Sequence, residues 1–429
     1  MFTTLRNAWK IPDLRKKLLF TLLILVIYRL GNCITVPFVD TGLLATAFEQ
    51  LSTTILGLYD AMSGSAFSSA TVFALSIQPY INASIIIQLL TIAIPSLERL
   101  AKEGGEEGKK KIAQITRYTT VGLGLVMGIA YYIMLLNYTN GSYAILSNTS
   151  FGAAVVIVLT FLAGSAFVMW LGEQITEFGI GNGISIILFA NIISRIPTGA
   201  STLISGIATG TLAWYGAILL LVGILALIVL IIFVNNSERR IPVQYAKRMV
   251  GRKMYGGQNT HLPIKVNMSG VLPIIFAQSI ASLPATAGMF LGMNTEGFWY
   301  KYVFSNMSAV YAIAYFLLII AFSYFYATVQ YNPVEIANNL QKNGGFIPGF
   351  RPGKPTANFI MKVINKITFF GALYLGVVAV MPIVVGAIFN MPNLSIGGTS
   401  VIIVCSVALE TVAAMEAQMM MRHYKGFLE

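Results

Sequence analysis

The chain has 429 residues, of which 56% are hydrophobic and only 10% are Asp, Glu, Lys or Arg, and its formal net charge is +12. Soluble domains carry about 25% charged residues. This composition therefore excludes a soluble fold of this size, because such a fold could not cover its surface with polar groups. The charges gather in short blocks between long apolar runs, which is typical of membrane proteins. That distribution favours membrane orientation over nucleic-acid binding as the origin of the positive charge.

Ten apolar runs are long enough to cross a bilayer, which needs about 20 residues for about 30 Å of hydrocarbon. Backbone groups in lipid must be hydrogen-bonded internally and the runs lack strand alternation, so we expect helices. The first run continues too far, without a prompt cleavage site, to be a signal peptide, and we interpret it as a retained span. The predicted fold is an all-α membrane protein with spans near residues 18–37, 72–95, 118–138, 152–171, 183–205, 212–234, 269–291, 309–329, 367–389 and 398–421.

The basic residues predict the orientation of these spans. With the N-terminus inside, 25 of the 28 Lys and Arg residues fall on the inner side. By the positive-inside rule, both termini are then expected in the cytoplasm. Lys301 lies on the outer side, while Arg29 and Arg195 lie near span ends, from which their long side chains can reach the interface.

The spans also predict two halves. Five spans lie in residues 1–205 and five in residues 212–429, separated by an outer hinge at 206–211. An odd number of spans in each half gives the halves opposite orientations, as in inverted-repeat membrane proteins.

Two inner loops, residues 235–267 and 330–366, are long, basic and rich in Gly and Pro. Helix connections usually need 2–8 residues, so the extra length of these loops indicates a role beyond joining two helices. One interpretation is a docking surface for an acidic partner, and the other is a topology anchor with a floppy connector. The clustered turn residues favour docking.

The first outer segment, residues 57–70, is too apolar for a solvated loop and too short and too broken by glycine to span the membrane. We expect a re-entrant half-helix that leads into the second span. Non-helical backbone at membrane depth is tolerated only where protein or an aqueous cavity surrounds it, so the segment predicts an enclosed cavity. Pro79 is expected to break or bend the start of the second span.

The sequence offers little for catalysis. Its two cysteines, Cys33 and Cys405, lie in apolar segments and are expected to be buried. No metal-binding cluster, HExxH, GxSxG or P-loop pattern is present, so we expect no metal, cofactor, enzymatic activity or nucleotide hydrolysis. A solute transporter of inverted halves remains an alternative. It would need charged residues near the membrane centre, where Glu410 is the main candidate.

Several long motifs resemble the SecY family of protein-conducting channels. They are spread from the second span to the tenth, at residues 73–90, 170–188, 260–270, 346–353 and 397–400. The resemblance implies an hourglass channel in the bacterial inner membrane. Such a channel moves unfolded polypeptides across the membrane or releases them sideways into lipid through a lateral gate. It also implies the partners SecE, SecG, the SecA motor ATPase, the ribosome, signal-sequence-bearing polypeptides and membrane lipid.

The resemblance also assigns roles to individual residues. An apolar constriction, whose members we call the ring residues, is formed by Ile77, Ile81, Ile184, Leu188, Ile275 and Ile403. The plug segment, residues 57–70, includes Gly57, Asp60, Ser63, Gly64 and Phe67. Polar contacts of the lateral gate, formed by spans two, three, seven and eight, fall on Asn82, Gln88 and Gln278. Motor or ribosome docking falls on Arg239, Arg240, Lys247, Arg248, Arg252, Lys253 and Arg351.

Four positions depart from the family pattern. Ser76 stands where the family usually has glycine, and Gln78 stands where methionine is common. Thr35 replaces a frequent proline after the first span, and Leu188 stands where isoleucine is usual. With leucine at position 188 the constriction is still apolar, and none of these substitutions removes a group that the implied mechanism needs.

Overall fold

The computed structural model describes residues 2–51, 55–102, 104–140, 145–209, 214–245, 248–250, 253–255, 259–268, 270–290, 308–388 and 392–425. Within these residues the chain forms sixteen helices and five short strands. The helices of the first half are α1 (Phe2–Lys10), α2 (Pro12–Gly31), α3 (Thr41–Leu51), α4 (Ile55–Ser63), α5 (Gln78–Ala93), α6 (Pro95–Lys102), α7 (Gly105–Asn140), α8 (Phe151–Phe178), α9 (Gly183–Ser194) and α10 (Ile196–Ala208).

The second half contains the strands. In chain order its elements are α11 (Trp214–Asn236), β1 (Glu238–Tyr245), β2 (Arg248–Val250), β3 (Lys253–Tyr255), β4 (Asn259–Lys265), α12 (Leu272–Phe290), α13 (Ala309–Gln330), α14 (Pro333–Lys342), β5 (Gly345–Phe346), α15 (Lys354–Ile388) and α16 (Pro392–Lys425).

The predicted helical membrane character is confirmed. Seven helices in the described part of the chain are long and apolar enough to span a bilayer, or eight if α5 and α6, which meet at 105°, form one broken span. A helix occupies each of the ten predicted spans, although the count of ten stays a prediction. The lipid-facing character is clearest on α11, where Leu219 and Phe233 are 64% and 72% exposed. Apolar side chains exposed in such numbers suit a hydrocarbon solvent.

Several predicted span boundaries were wrong. The first span ends at Gly31 rather than near residue 37, because the chain turns there and Thr35 forms a β-bridge with Thr71. The second span begins at Gln78 rather than 72, so Pro79 lies in its first turn, where a missing N–H costs nothing. The fifth span breaks at Arg195, just before a proline in the first turn of α10.

The main apolar cluster occupies the centre of the bundle and takes residues from α2, α5, α8, α9, α11, α12, α13, α15 and α16. A second cluster contains Phe67 of the plug segment together with Tyr131 of α7 and Phe161 of α8. The N- and C-terminal helices also pack together, and Thr4 donates a hydrogen bond to Glu416 at 3.1 Å. The two described ends of the chain therefore lie at the same end of the bundle.

The two long basic loops fold together, which the sequence did not predict. Strands β4, β1 and β5 form one sheet, in which β1 of the first loop pairs with β5 of the second through Gln244–Phe346 and Tyr245–Gly345. Ile241 and Val243 alternate inward from β1 and pack on α14 and the start of α15. Within the predicted second loop, residues 330–366, α15 already begins at Lys354, so the last part of this loop is helical. We call β1, β4, β5, α14 and residues 354–366 the loop module.

One prediction about the cysteines was wrong. Cys33 is exposed rather than buried, because it lies in the turn after α2, where its thiol faces the Arg29 carbonyl at 3.5 Å. Cys405 is partly buried within α16 and packs against the main apolar cluster.

Candidate channel constriction, plug and docking surface

The ring residues come from four separate elements and meet in the main apolar cluster. Ile77 immediately precedes α5 and Ile81 lies one turn into that helix, while Ile275 and Ile403 come from α12 and α16. Ile184 and Leu188 lie one turn apart on α9. Five of the six are buried, and Ile184 is partly buried against the same cluster. The fold thus brings together residues that lie up to 326 positions apart (77 and 403).

This arrangement can form a flexible apolar constriction. The six side chains are all branched and carry no polar atoms, so a narrow zone lined by them disfavours water and ions. α8 borders this zone at Gly172, where a Cβ would make ordinary van der Waals contact with Ile77 Cδ1 at 3.4 Å and Ile184 Cγ1 at 3.6 Å. Met62 of α4 belongs to the same cluster, and its Sδ lies 3.0 Å from the side-chain nitrogen of Gln78, the residue after Ile77.

The plug segment begins as the predicted short helix, α4, and continues as turns up to α5. The Ser63 hydroxyl connects the helix to the turns: it donates to the Asp60 carbonyl at 3.1 Å and accepts from the Phe67 amide at 3.0 Å. The Phe67 ring lies 4.4 Å from the Tyr131 ring, whose hydroxyl donates to the Phe67 carbonyl at 2.6 Å. Gly57 is buried in α4. The segment is therefore seated by defined contacts on both sides of the turn.

Asp60 makes the ionic contact of the plug segment. Its Oδ2 lies 3.1 Å from Arg195 Nη1, and its Oδ1 accepts from the Ser68 amide at 2.8 Å. The Asp60 side chain is 8% exposed and the Arg195 side chain 36% exposed. Arg29 similarly donates to the Ala190 carbonyl at 2.6 Å. Both arginines thus have protein partners, although the sequence suggested only that they extend toward the interface.

A buried polar group at this site, Asn191, was not predicted from the sequence. The side-chain nitrogen of Asn191, on α9, donates to the Met62 carbonyl at 2.8 Å and to the Tyr28 hydroxyl at 2.9 Å, and lies 3.3 Å from Ser76 Oγ. Asn191 is fully buried. One signal was available: Asn191 lies seven residues after Ile184, which puts both on one face of an apolar helix.

Ser76 has a strained backbone, which explains the glycine that the SecY pattern favours there. Its φ is +48°, in the left-handed region where a Cβ is costly. The hydroxyl of Ser76 lies 3.2 Å from that of Tyr28, and either can donate. Serine at this position therefore has a strained backbone that glycine would not have, but its hydroxyl contacts Tyr28 and Asn191.

The helices expected to form the lateral gate are neighbours. α12 packs against α5, α7 and α13, and α5 packs against α7. Asn82 of α5 lies at the seam with α7, its side-chain nitrogen 4.0 Å from Met127 Sδ. Gln278 of α12 is buried, and the side-chain oxygens of Gln278 and Gln88 have no hydrogen-bond partner within the described residues.

The docking residues fall into two groups. Arg239 and Arg240 are exposed on β1, where Arg240 pairs with Glu238 at 2.6 Å, and Arg351 is exposed before α15. Lys247 and Arg252 lie outside the described residues. Arg248 and Lys253 lie in β2 and β3, and their side chains are outside the described set. The pairing of β1 with β5 brings the first group onto one folded unit.

The described residues contain no group of three or more His, Cys, Asp or Glu side chains that could hold a metal ion. Glu410, the candidate for a solute site, is exposed on α16. Glu173 pairs with Arg117 at 2.8 Å. These carboxylates lie on different helices and make no shared site of the kind a coupled carrier uses.

Together, the apolar helical bundle, its branched apolar constriction and the seated re-entrant segment define a multi-pass membrane channel protein. A family model described as SecY matches residues 71–412. The protein translocase subunit SecY of Streptomyces coelicolor is 45% identical, and those of Streptomyces galbus and Halalkalibacterium halodurans are 44% and 43% identical, each over 100% of both chains. The chain therefore belongs to the SecY family, whose members are channel subunits rather than enzymes.

Solved structures have the same fold. A structure of a protein-conducting channel matches with a TM-score of 0.67 at 18% identity, covering 94% of this chain and 92% of that one. A SecY whose plug domain stabilises the closed state and maintains a membrane seal matches with a TM-score of 0.65, also at 18% identity and with the same coverage. Sec61 in the canine ribosome–channel complex matches with a TM-score of 0.62 at 15% identity, again with the same coverage. The predicted family and fold class are confirmed.

Proposed function

We propose that this chain is the central channel subunit of a bacterial Sec translocase, in which the six ring residues form the constriction and the plug segment closes it at rest. The observation that carries this proposal is the meeting of all six ring residues in one apolar cluster that also contains Met62 of α4. The apolar narrow zone disfavours water and ions, and the plug fills space that water would otherwise occupy, so the resting barrier has two layers.

The lateral gate follows from the helix neighbours. Separation of α12 from α5 and α7, against which it packs, opens the bundle toward lipid. Asn82, Gln88 and Gln278 then contact a signal sequence that lies between them. The unpartnered side-chain oxygens of Gln88 and Gln278 support this role, since an unpaired buried acceptor is costly until a polypeptide N–H reaches it.

The loop module is the proposed docking surface. Its exposed arginines, Arg239, Arg240 and Arg351, suit an acidic or RNA partner, and the relatives solved on ribosomes support the ribosome as one. The chain carries no nucleotide-binding loop, so the SecA motor supplies energy from outside. SecE, SecG, signal-sequence-bearing polypeptides and membrane lipid complete the partners implied by family membership.

The proposed orientation places both termini and the loop module in the cytoplasm, with inverted halves at residues 1–205 and 212–429 joined by the hinge 206–211. The excess of Lys and Arg on one side supports it. The packing of α1 on α16 also supports it, since termini on one side require an even number of spans.

Planar-bilayer conductance tests the proposal. Deleting residues 60–67, or replacing Ile81, Ile275 and Ile403 by Ser, should raise ion leak, and the two changes together should raise it further. Three lipid-exposed isoleucines replaced by Ser make a matched control: Ile129, Ile218 and Ile313 are 41%, 54% and 62% exposed. The control should stay ion-tight. Silent bilayers with folded deletion and ring variants would instead favour a solute carrier, which has no continuous pore to unseal.

A further inference from the structure

One face of α9 carries two kinds of residue. Ile184 and Leu188 are ring residues, and Asn191 and Arg195 follow at spacings of three and four. Residues at these spacings lie on one side of a helix. The apolar end of this face therefore meets the constriction, and the polar end meets the plug segment, where Asn191 contacts Met62 and Arg195 contacts Asp60. A single rigid helix connects the two parts of the closed channel.

The Asn191 contact binds the backbone of the plug segment rather than a side chain. The Met62 carbonyl lies near the C-terminal end of α4, where helix carbonyls have no partner in the helix itself. Asn191 satisfies this carbonyl at 2.8 Å in a fully buried position. If the plug segment left, the carbonyl and the amide would both lose a buried partner. Such unpaired groups are costly in a dry environment, so the contact favours the seated plug.

The Asp60–Arg195 pair adds a charged contact at the same end of α9. Asp60 is more deeply buried than Arg195, and its second oxygen is already bonded to the Ser68 amide. A carboxylate seated in this way depends on its arginine for charge compensation. Loss of either partner is therefore more costly than at an exposed surface pair, where it usually costs little.

The backbone of the plug segment is shaped to reach this face. Gly64 has a φ of +69°, and a Cβ there would lie 3.2 Å from Asn191 Cα and 3.1 Å from Asn191 Oδ1. Any side chain at this position would push the segment away from α9. Glycine thus permits both the turn and the close approach.

We propose that Asn191 and Arg195 form a polar latch that holds the plug segment in its closed position and sets the threshold for channel opening. The proposal rests on the sealing role of the plug segment proposed above. Asn191 and Arg195 are positioning residues: they act on the pore through the plug and do not line the polypeptide path. Opening then requires the Met62–Asn191 and Asp60–Arg195 contacts to break together, because both lie on one short segment.

The test uses the full chain purified with its partner subunits and measured in planar bilayers. The variants Asp60→Asn, Arg195→Gln and Asn191→Leu each remove one element of the latch, and Asp60→Asn keeps the acceptor for the Ser68 amide. Each should raise the frequency of resting openings about tenfold, as expected for loss of one ion pair or one buried hydrogen bond. The double variant Asp60→Asn/Arg195→Gln should open no more often than either single variant, because both remove the same pair.

The controls separate the latch from general damage and from the plug itself. Arg117→Gln removes a matched arginine–carboxylate pair, with Glu173, away from the plug, and should leave resting openings unchanged. If the deletion of residues 60–67 leaks while the folded latch variants stay silent, the latch is overturned and the plug seal stands. If the deletion is also silent, the sealing role fails and the latch fails with it. Equal opening of Arg117→Gln, or additive opening of the double variant, also contradicts the latch. Should Asn191→Leu not fold, the Asp60 and Arg195 variants decide.

Discussion

Replacing Gly164 by Ala should destabilise the protein more than any other single methyl group added in α8. Gly164 is buried where α8 crosses the chain just before α5, and an added Cβ would overlap the Val72 carbonyl oxygen and lie 2.8 Å from its carbon. The obstacle is backbone, which cannot rotate away as a flexible side chain can. Overpacking costs 1–3 kcal/mol, and we expect about 3 kcal/mol here because a main-chain shift is required.

The shift would also reach the constriction. Val72 lies five residues before Ile77, and its amide is bonded to the Ile34 carbonyl at 2.9 Å. The displaced segment must therefore strain this bond or move Ile77. Gly122 of α7 offers a matched control, since a Cβ there meets nothing within 4 Å. Gly122→Ala should be neutral or stabilising by about 0.4–1 kcal/mol, as alanine is the better helix former.

The assay is the apparent unfolding temperature of the detergent-purified protein at one fixed heating rate, since membrane proteins often unfold irreversibly. Gly164→Ala should unfold at a clearly lower temperature than the parent, and Gly122→Ala at the same or a higher one. Adding Val72→Ala should not rescue Gly164→Ala, because the carbonyl rather than the valine side chain is the first obstacle. Equal unfolding temperatures for the two glycine variants, or rescue by Val72→Ala, would refute the reasoning.

Three further outcomes are expected. Single cysteines at Thr260 and Asn343, in a cysteine-free background, should resist an impermeant external label in intact cells, and ready labelling would contradict the cytoplasmic placement of the loop module. Arg239→Glu and Arg351→Glu should weaken ribosome or motor binding about tenfold at low salt and less at high salt, whereas Arg351→Lys should bind normally. Unchanged binding of the two Glu variants would show that the loops serve only as topology anchors. Ser76→Gly should have a free energy of unfolding about 1 kcal/mol higher than that of Ser76→Ala, and should therefore unfold at a higher temperature. Both variants lose the hydroxyl, but only glycine relieves the positive φ. The opposite order would show that Ser76 is not strained.

The helical membrane class could be read from the sequence because its causes are local. A run of about 20 apolar residues in lipid must satisfy its backbone internally, whatever its neighbours are. Helix α11 is the clearest example, because it is exposed along most of its length and makes few packing contacts with other helices. The motifs around Ile77 and Ile184 also identified the SecY family before any fold was known, and the comparisons confirmed it.

The boundaries of the first two spans needed the tertiary structure. Residues after Gly31 are apolar enough to continue a helix, yet the chain turns because Val36 and Thr35 bond across to Ala70 and Thr71. Hydropathy carries no information about that pairing. The loop module could not be predicted from hydropathy either, because β1 and β5 are separated by about a hundred residues and neither strand is stable alone.

The polar groups around the plug show most clearly which features the sequence determines and which depend on the tertiary structure. Asp60 and Arg195 were recognised in the sequence as polar residues in apolar surroundings, and such residues need partners when they are buried. Asn191, which needs partners for the same reason, was not recognised. The partners lie 135 positions apart for Asp60 and Arg195, and 129 for Asn191 and Met62. The sequence by itself determined that these groups must be satisfied. Only the tertiary structure decided by which partner, because the distance between α4 and α9 follows from how the whole bundle packs.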